Sequence, residues 1–386
     1  MKWYPPAESK IPLTVLRQYL RSDARTAEPE LRGMTGSGHC LFGPSGRSLL
    51  YLLLVMLAGR EDKRRNEVLV PGYTCYSVPA AVVKAGLKLR FYDLEPESFN
   101  PLSASVKENC NPNTLAIISQ HLLGIPADVR AISQIAAIVG AYHIEDAAQA
   151  YGGRLNGHML GTSGDFGFFS FGRGKSLPLG GGGALVSNKH YLKEIEQELQ
   201  IDAGWPKLAI TLLSQPASQP GVYWIAEKLP LGLGQTIFNP RFKVGNIPRS
   251  ILKLFKPMMA CFPEMNRHRN AISSIYQNTI NPVHLIAVNA AAKPVHPRYP
   301  VLGKAGPLPF ELVRMGVRRL YPNALPMETA IAAFATGYPQ KLPGAQTLAQ
   351  RLITLPTHRG IDAGTAKAIA NQTNHWILNG QFSISI

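Results

Sequence analysis

The sequence predicts an α/β chain in which a large domain with a mostly parallel sheet sandwiched by helices precedes a smaller C-terminal α+β domain. Three observations carry this expectation. Apolar strand patterns alternate with helical ones across residues 45–187. A length of 386 residues with 45% apolar content suits about two domains. Beyond residue 204 the texture changes to Pro-, Gly- and Gln-rich segments such as SQPASQPG and LPLGLGQ, which sets domains of 1–245 and 246–386.

Each element has its own signal. Ser45 caps a helix over 45–59 (SGRSLLYLLLVMLAG), and a strand over 67–70 (EVLV) stops at Pro71. A helix over 76–84 ends near Gly86, and LKLRFYDL (87–94) reads as a strand. Strand 114–120, amphipathic helix 127–139 and strand 141–145 follow, the last ending at Asp146; strands 166–171 and 184–187 complete the set. Strands apolar on both faces and joined by helices form parallel sheets, whose ligands bind beyond the carboxyl ends of the strands. In the second half a basic stretch from Arg241 to Arg269 leads into a helix over 269–278, a strand over 295–302, and helices over 309–317 and 344–352.

Composition narrows the function classes. The N-terminus MKWYPPAESKIPLTVL has no secretory pattern, and the longest apolar run, 49–58, is too short to span a bilayer. Cys40, Cys75, Cys110 and Cys261 are far apart, which fits reduced thiols in a cytoplasm, and the histidines show no metal-ligand spacing. The net charge of +16 sits mostly in residues 202–386, with 19 Lys and Arg against 6 Asp and Glu. An anionic partner for that half is one reading and a solvated surface the other.

The stretch GFFSFGRGKSLPLGGGG (167–183) poses the functional question through Lys175. Gly174-Lys175-Ser176 looks like the tail of a triphosphate loop, but the first glycine of that motif would fall on Phe169. The helix it needs is denied by Leu177-Pro178-Leu179 and Gly180 to Gly183. A solvated lysine and a covalent cofactor anchor remain. The stretch AYHIEDAAQAYGG places Asp146 at a strand end and Gln149 a helical turn later. Pyridoxal phosphate needs a lysine amine and an acid that keeps its ring nitrogen protonated.

These motifs resemble the DegT/DnrJ/StrS-type sugar aminotransferase family of fold type I pyridoxal phosphate-dependent enzymes. The matching segments are EVLVPGYTCYSVPAAVVKAG, LKLRFYDLEPESFN, TLAIISQHLLGIPAD, IEDAAQAYGG and GTSGDFGFFSFGRGKSLPLGGGGALVSN, in order. RHRNAISSIY, MGVRRLYPNAL and LITLPTHRGI are similar to its small domain. The resemblance implies a cofactor, pyridoxal 5'-phosphate, anchored on Lys175, with Asp146 on the ring nitrogen and Gln149 near the phenolic oxygen. It implies phosphate contacts from Ser170, Gly46 and Arg47, the last standing where the family has a small residue. Cys75 stands where the family carries a stacking aromatic, leaving Tyr73 or Tyr76 for that role. The four glycines are expected to let backbone pass close to the cofactor.

By the same resemblance the reaction is transamination, since Lys175 stands where the family's dehydratases have histidine. The implied donor is glutamate or a similar amine and the implied acceptor an anionic nucleotide-linked keto sugar, in polysaccharide biosynthesis. The implied assembly is a homodimer with shared active sites, although the neighbouring-subunit asparagine of the family has no clear match in KVGNIPRS. A cofactor-binding regulatory module and an enzyme acting on a non-sugar ketone are the alternatives. No nucleic acid, metal or transmembrane segment is expected.

Overall fold

The computed structural model describes residues 2–7, 10–216, 219–228, 236–337 and 341–379. LPLGLGQ and part of SQPASQPG lie outside the described residues. A seven-stranded sheet dominates the first half: β1 (His39–Gly43), β2 (Glu67–Pro71), β3 (Lys88–Tyr92), β4 (Thr114–Gln120), β5 (Tyr142–Asp146), β6 (Phe166–Ser170) and β7 (Gly183–Ser187). Its spatial order is β1-β7-β6-β5-β4-β2-β3. The β3-β2-β4-β5-β6 run is parallel, and β7 is antiparallel to both of its neighbours. β2, β4 and β7 are buried along their whole length, as expected for strands covered on both faces.

The helix Gly46–Arg60 shows why these residues choose their element. Ser45 Oγ accepts from the Ser48 amide at 3.1 Å, and Leu49, Leu50, Leu53, Leu54 and Leu57 form one buried stripe. Each such leucine contributes about 1.5–3 kcal/mol by leaving water. The helix Arg130–Val139 repeats the pattern with Ile132, Ile135 and Ala136 buried, and ends on Gly140 in the left-handed region. Expected and observed bounds differ at the ends by a few residues, as they do for most elements here.

One finding departs from the sequence pattern. The basic stretch after Arg241 becomes the 31-residue helix Arg249–Thr279, which contains Pro257 and Pro263. Internal prolines cost about 3 kcal/mol each. The cost is offset by Leu254, Phe255, Met258 and Phe262, buried in a core shared with Phe42, Tyr151 and Phe171 of the large sheet. Further along, Ile272 and Tyr276 belong to a separate core with Tyr299, Val301 and Leu355. One helix therefore ties both cores together, and the boundary expected near residue 245 falls just before it. A small sheet, β8 (Arg298–Leu302), β9 (Arg318–Arg319) and β10 (Leu352–Pro356), has β10 at its centre with antiparallel neighbours. The helix Ala363–Asn379 closes the described chain. Among the described residues no helix is long and apolar enough to cross a membrane.

The glycine run packs against helices. A Cβ on Gly180 would meet the Thr211 side chain at 2.4 Å, and one on Gly183 would lie 2.4 Å from the Gly46 amide nitrogen and 2.8 Å from the Phe169 carbonyl. These contacts bring β6, β7 and the start of the helix Gly46–Arg60 together. Gly183→Ala should therefore destabilise by at least the 1–3 kcal/mol or so of an overpacked core, because the clashing atoms are backbone. Gly33→Ala, with open space around it in the helix Ala27–Thr35, should stabilise by about 0.5–1 kcal/mol. Urea midpoints check both; a neutral Gly183→Ala would contradict the packing.

Candidate active site

The carboxyl ends of β4 and β5 build the site. Gln120 and Asp146 are register partners there, and the His121 amide donates to the Asp146 carbonyl at 3.0 Å. Asp146 is buried, and its carboxylate accepts the Ala148 amide at 2.9 Å. Burial pushes this carboxyl above its ordinary range, while the Ala148 amide, Lys175 and His121 pull it back. Among the described residues Asp146 forms no ion pair, although Lys175 and His121 act on its charge, and a cation bound beside it would be favoured.

On the opposite face of β5, Glu145 is wholly buried and satisfied. It accepts from His121 Nε2 at 2.8 Å, from the Gly161 amide at 3.1 Å, and from the Ser163 and Gly164 amides. The Ala127 amide donates to His121 Nδ1 at 3.2 Å, which leaves Nε2 as the proton-bearing atom facing Glu145. Burial raises the Glu145 carboxyl, but the His121 hydrogen bond and the backbone donors outweigh it and leave it below the ordinary range. His121 is thereby fixed as a wall of the pocket. His143 is bridged by Ser119 at 2.8 Å and Ser133 at 2.9 Å, and burial pulls it down, toward the neutral ring.

Lys175 lies on a turn that leaves the sheet after β6 and is closed by Leu179 N to Phe171 O at 2.8 Å and Phe171 N to Gly182 O at 3.0 Å. Gly174 has φ 71°, a left-handed conformation that glycine takes at no steric cost. The next residue fixes the turn twice: Ser176 Oγ donates to the Gln149 carbonyl at 2.6 Å, and Arg269 Nη1 donates to the Ser176 carbonyl at 2.6 Å. Arg269 comes from the long helix and is almost fully buried. Lys175 is thus presented from a rigid base into a pocket lined by Thr74, Cys75, Gln120, His121, Leu122, Asp146, Ala148, Gln149 and Tyr321.

Gln149 has both ends engaged. Its Oε1 accepts the Leu123 amide at 2.7 Å and its Nε2 donates to the Tyr321 phenol at 3.3 Å. Tyr321 arrives from the small domain and is buried beside Cys75 and Asp146, which drives its phenol well above the ordinary range. Tyr73 and Tyr76 surround Tyr321 rather than line the pocket. Tyr73 packs at 5.3 Å between ring centroids and accepts the Tyr321 amide at 3.1 Å; Tyr76 stacks at 6.5 Å and donates to Glu328.

Gly46, Arg47 and Ser170 gather next to this pocket at the amino end of the helix Gly46–Arg60. A Cβ on Gly46 would meet the Phe169 carbonyl at 3.1 Å and Ser170 Cβ at 3.3 Å, so the amides there can approach a small anion. The Arg47 guanidinium sits 4.3 Å over the Phe242 ring, and its burial lowers its pKa, opposed by Cys75 at the pocket edge. None of Arg241, Lys243, Arg249, Arg314, Arg318 and Arg319, basic residues of the second half, lines the Lys175 pocket. Arg314 pairs with Glu311, Arg318 donates to Val317 O, Arg319 donates to Lys304 O, and Arg249 lines a separate cleft with Arg21, Arg25 and Lys253. Arg241 and Lys243 precede the long helix.

Residues 21–207 match the model of the DegT/DnrJ/EryC1/StrS aminotransferase family. Over this segment, just under half of the chain, the sequence is similar to that family. A UDP-N-acetyl-3-dehydro-alpha-D-glucosamine 3-aminotransferase of Acidithiobacillus ferrooxidans is 35% identical over 181 residues, 47% of this chain and 48% of that protein. GDP-perosamine synthase of Vibrio cholerae is 35% identical over 123 residues, 32% of this chain and 34% of that protein. The aligned stretches thus span about half or less of these relatives. Solved structures extend the fold match to nearly the whole chain. DesV of S. venezuelae superposes with a TM-score of 0.72 at 22% identity over 95% of this chain and 94% of that one. A DegT/DnrJ/EryC1/StrS aminotransferase of Brucella abortus gives 0.69 at 22% identity over 95% of each. The fold is that of the fold type I enzymes.

Within the family segment, sequence named Lys175, Asp146 and Gln149, and the fold brings all three to one pocket. It missed His121 and Gln120, although TLAIISQHLLGIPAD contains both. It also missed Tyr321, in MGVRRLYPNAL, and Arg269, in RHRNAISSIY, because a contact across more than 90 residues leaves no local period.

Asp146 makes a testable electrostatic statement. Its folded pKa is raised, so the native state holds the proton more tightly than the unfolded chain, and stability is lost as pH rises through the folded value. In protein freed of small ligands, Asp146→Asn should match wild type near pH 4 and melt increasingly above it as pH rises to 8. A constant difference across that range would mean the carboxylate is not strained by burial.

Proposed function

We propose that this chain is a pyridoxal phosphate-dependent aminotransferase that moves an amino group from glutamate or a similar donor to a nucleotide-linked keto sugar. The observation that carries the reading is the buried Asp146 carboxylate, raised by burial and without an ion pair among the described residues, in one pocket with Lys175 at the strand ends. A protonated ring nitrogen is the cation such a carboxylate favours. When bound, the cofactor supplies an electron sink that makes the proton on the amine-bearing carbon removable.

The chain's own groups have distinct work. Lys175 would hold the cofactor covalently and, as a free amine, would move the proton at the substrate carbon. Asp146 holds the proton at the ring nitrogen. Gln149, locked by the Leu123 amide, offers Nε2 toward the phenolic oxygen alongside the Tyr321 hydroxyl. The helix amides at Gly46, with Ser170 and Arg47 beside them, suit the phosphate. Tyr321 with Cys75 forms the wall expected of Tyr73 or Tyr76. The relatives' printed substrates, UDP- and GDP-linked sugars, support the acceptor class.

We further read the chain as a cytoplasmic homodimer. Four free, separated thiols fit a reducing compartment. Trp205, Ile210 and Leu213 leave the helix Trp205–Leu213 with 60% or more exposure each, an apolar face suited to a second copy.

The test is a single half reaction. Cofactor-loaded wild type mixed with glutamate should release 2-oxoglutarate stoichiometrically, and Asp146→Asn should do so about 10²–10⁴-fold more slowly while retaining cofactor. Wild type that binds the cofactor but releases no 2-oxoglutarate would favour a regulatory module, and an Asp146→Asn variant as fast as wild type would reduce Asp146 to a helix cap.

A further inference from the structure

Beyond the helix Trp205–Leu213 the chain carries a second exposed apolar surface. Residues 203–226 contain a single charged side chain, Lys207, against 17% charged residues in the whole chain. A surface segment ordinarily holds more charge than the average, so this run is poorly suited to water. Within it Val222, Trp224 and Ile225 are exposed, at the turn that enters the short helix Tyr223–Lys228 and on that helix. The N-terminal arm joins them to the small domain: the Trp3 amide donates to Pro220 O at 2.7 Å, and the Trp3 ring meets Phe310 edge-on at 5.4 Å between centroids. Phe310 itself is 59% exposed. Three segments far apart in sequence thus build one ridge.

The polar groups of this ridge are paired inside the chain. The Val222 and Tyr223 amides donate to Gln219 O at 2.9 and 2.8 Å, and the Ile225 amide donates to Val222 O at 3.0 Å. The Trp224 indole Nε1 donates to Gly221 O at 3.1 Å. Donors must be satisfied within the chain before a segment can leave water for hydrocarbon, because lipid tails offer no acceptors. A contact with another folded protein makes no such demand, since that partner supplies hydrogen bonds and trapped water of its own. The pairing therefore favours lipid over a second copy.

Charge points the same way. Residues 1–10 hold two Lys against one Glu, residues 203–228 again two Lys against one Glu, and residues 309–320 three Arg against one Glu. The N-terminal arm rests on the stretch 357–367, where His358 Nε2 donates to Pro5 O at 2.8 Å, and that stretch holds one Arg and one Lys against one Asp. Every segment that frames the ridge is net positive. Aromatic and aliphatic side chains surrounded by cations match the boundary of a bilayer with anionic headgroups, where rings settle at the headgroup level and basic residues are drawn to the negative surface.

We propose that the chain docks on an anionic membrane surface through the ridge formed by Trp3, Val222, Trp224, Ile225 and Phe310. The contact lies on the bilayer and does not cross it, since no described helix is long and apolar enough to span. It is reversible, because a few side chains and a diffuse positive field bind far more weakly than an inserted helix. The helix Trp205–Leu213 is separate from the ridge and keeps its face for a second copy.

Co-sedimentation of the purified full-length chain with lipid vesicles tests this. Wild type should bind vesicles of phosphatidylcholine with about 30% phosphatidylglycerol and bind phosphatidylcholine alone several-fold more weakly. Binding should also weaken several-fold in about 0.5 M salt, where screening acts beyond about 4 Å. The double variant Trp224→Ser with Ile225→Ser should bind the anionic vesicles about tenfold or more weakly, and Phe310→Ser, on a different element, should weaken binding in the same direction. A melting curve for each variant confirms that it is folded. Wild type that stays in the supernatant, or folded variants that bind as wild type does, would overturn the proposal; the second result would leave only the general field of the +16 charge. Variants that change the mass measured by light scattering but not vesicle binding would also overturn it, making the ridge an interface between copies. None of these readouts needs cofactor or turnover, so they stand whether or not the aminotransferase reading holds.

Discussion

The site is organised by one electrostatic constraint, a carboxylate buried at the end of β5 with a single backbone donor close to it. Asp146 is held there by the parallel register of β4 and β5, and its side chain is buried. Its neighbour Glu145 shows the contrast. Both carboxylates are wholly enclosed, yet Glu145 has a histidine and three amides and falls below the ordinary range, whereas Asp146 rises above it. Two adjacent residues of one strand thus have opposite electrostatic states because the strand sends their side chains to opposite faces. One is structural and completed by the protein; the other is left to be completed by something that binds.

Everything around the pocket then serves to hold partners at fixed distances from Asp146. The long helix donates Arg269 to the Ser176 carbonyl, so the turn bearing Lys175 is set by an element that belongs to both apolar cores. The small domain sends Tyr321 between Tyr73, Tyr76 and Gln149. Residues from both halves of the sequence, Lys175 and Tyr321 among them, thus line one pocket.

Much of this was legible in the sequence, for identifiable reasons. The alternation of strand and helix over 45–187 follows from strong apolar periods, and Lys175, Asp146 and Gln149 sit in short motifs whose chemistry is local. What escaped was set by long-range packing. β1 lacks a period that separates it from the helices flanking it, the helix Arg249–Thr279 contains two prolines that argue against it, and Tyr321 and Arg269 act through contacts far along the chain. The glycine run was read as room for a cofactor, whereas Gly180 and Gly183 are occupied by the approach of Thr211 and of the Gly46 amide. That reason lies in three-dimensional crowding, which a run of four identical residues does not disclose.

The central claim is that Lys175 is the group the buried Asp146 site is built to present. Incubating the protein with pyridoxal phosphate, reducing with borohydride and mapping the modified peptide by mass spectrometry tests it directly. The account predicts a single label on Lys175 within the segment GFFSFGRGKSLPLGGGG; a label on Lys189, or no label under conditions where the protein is folded, would contradict it.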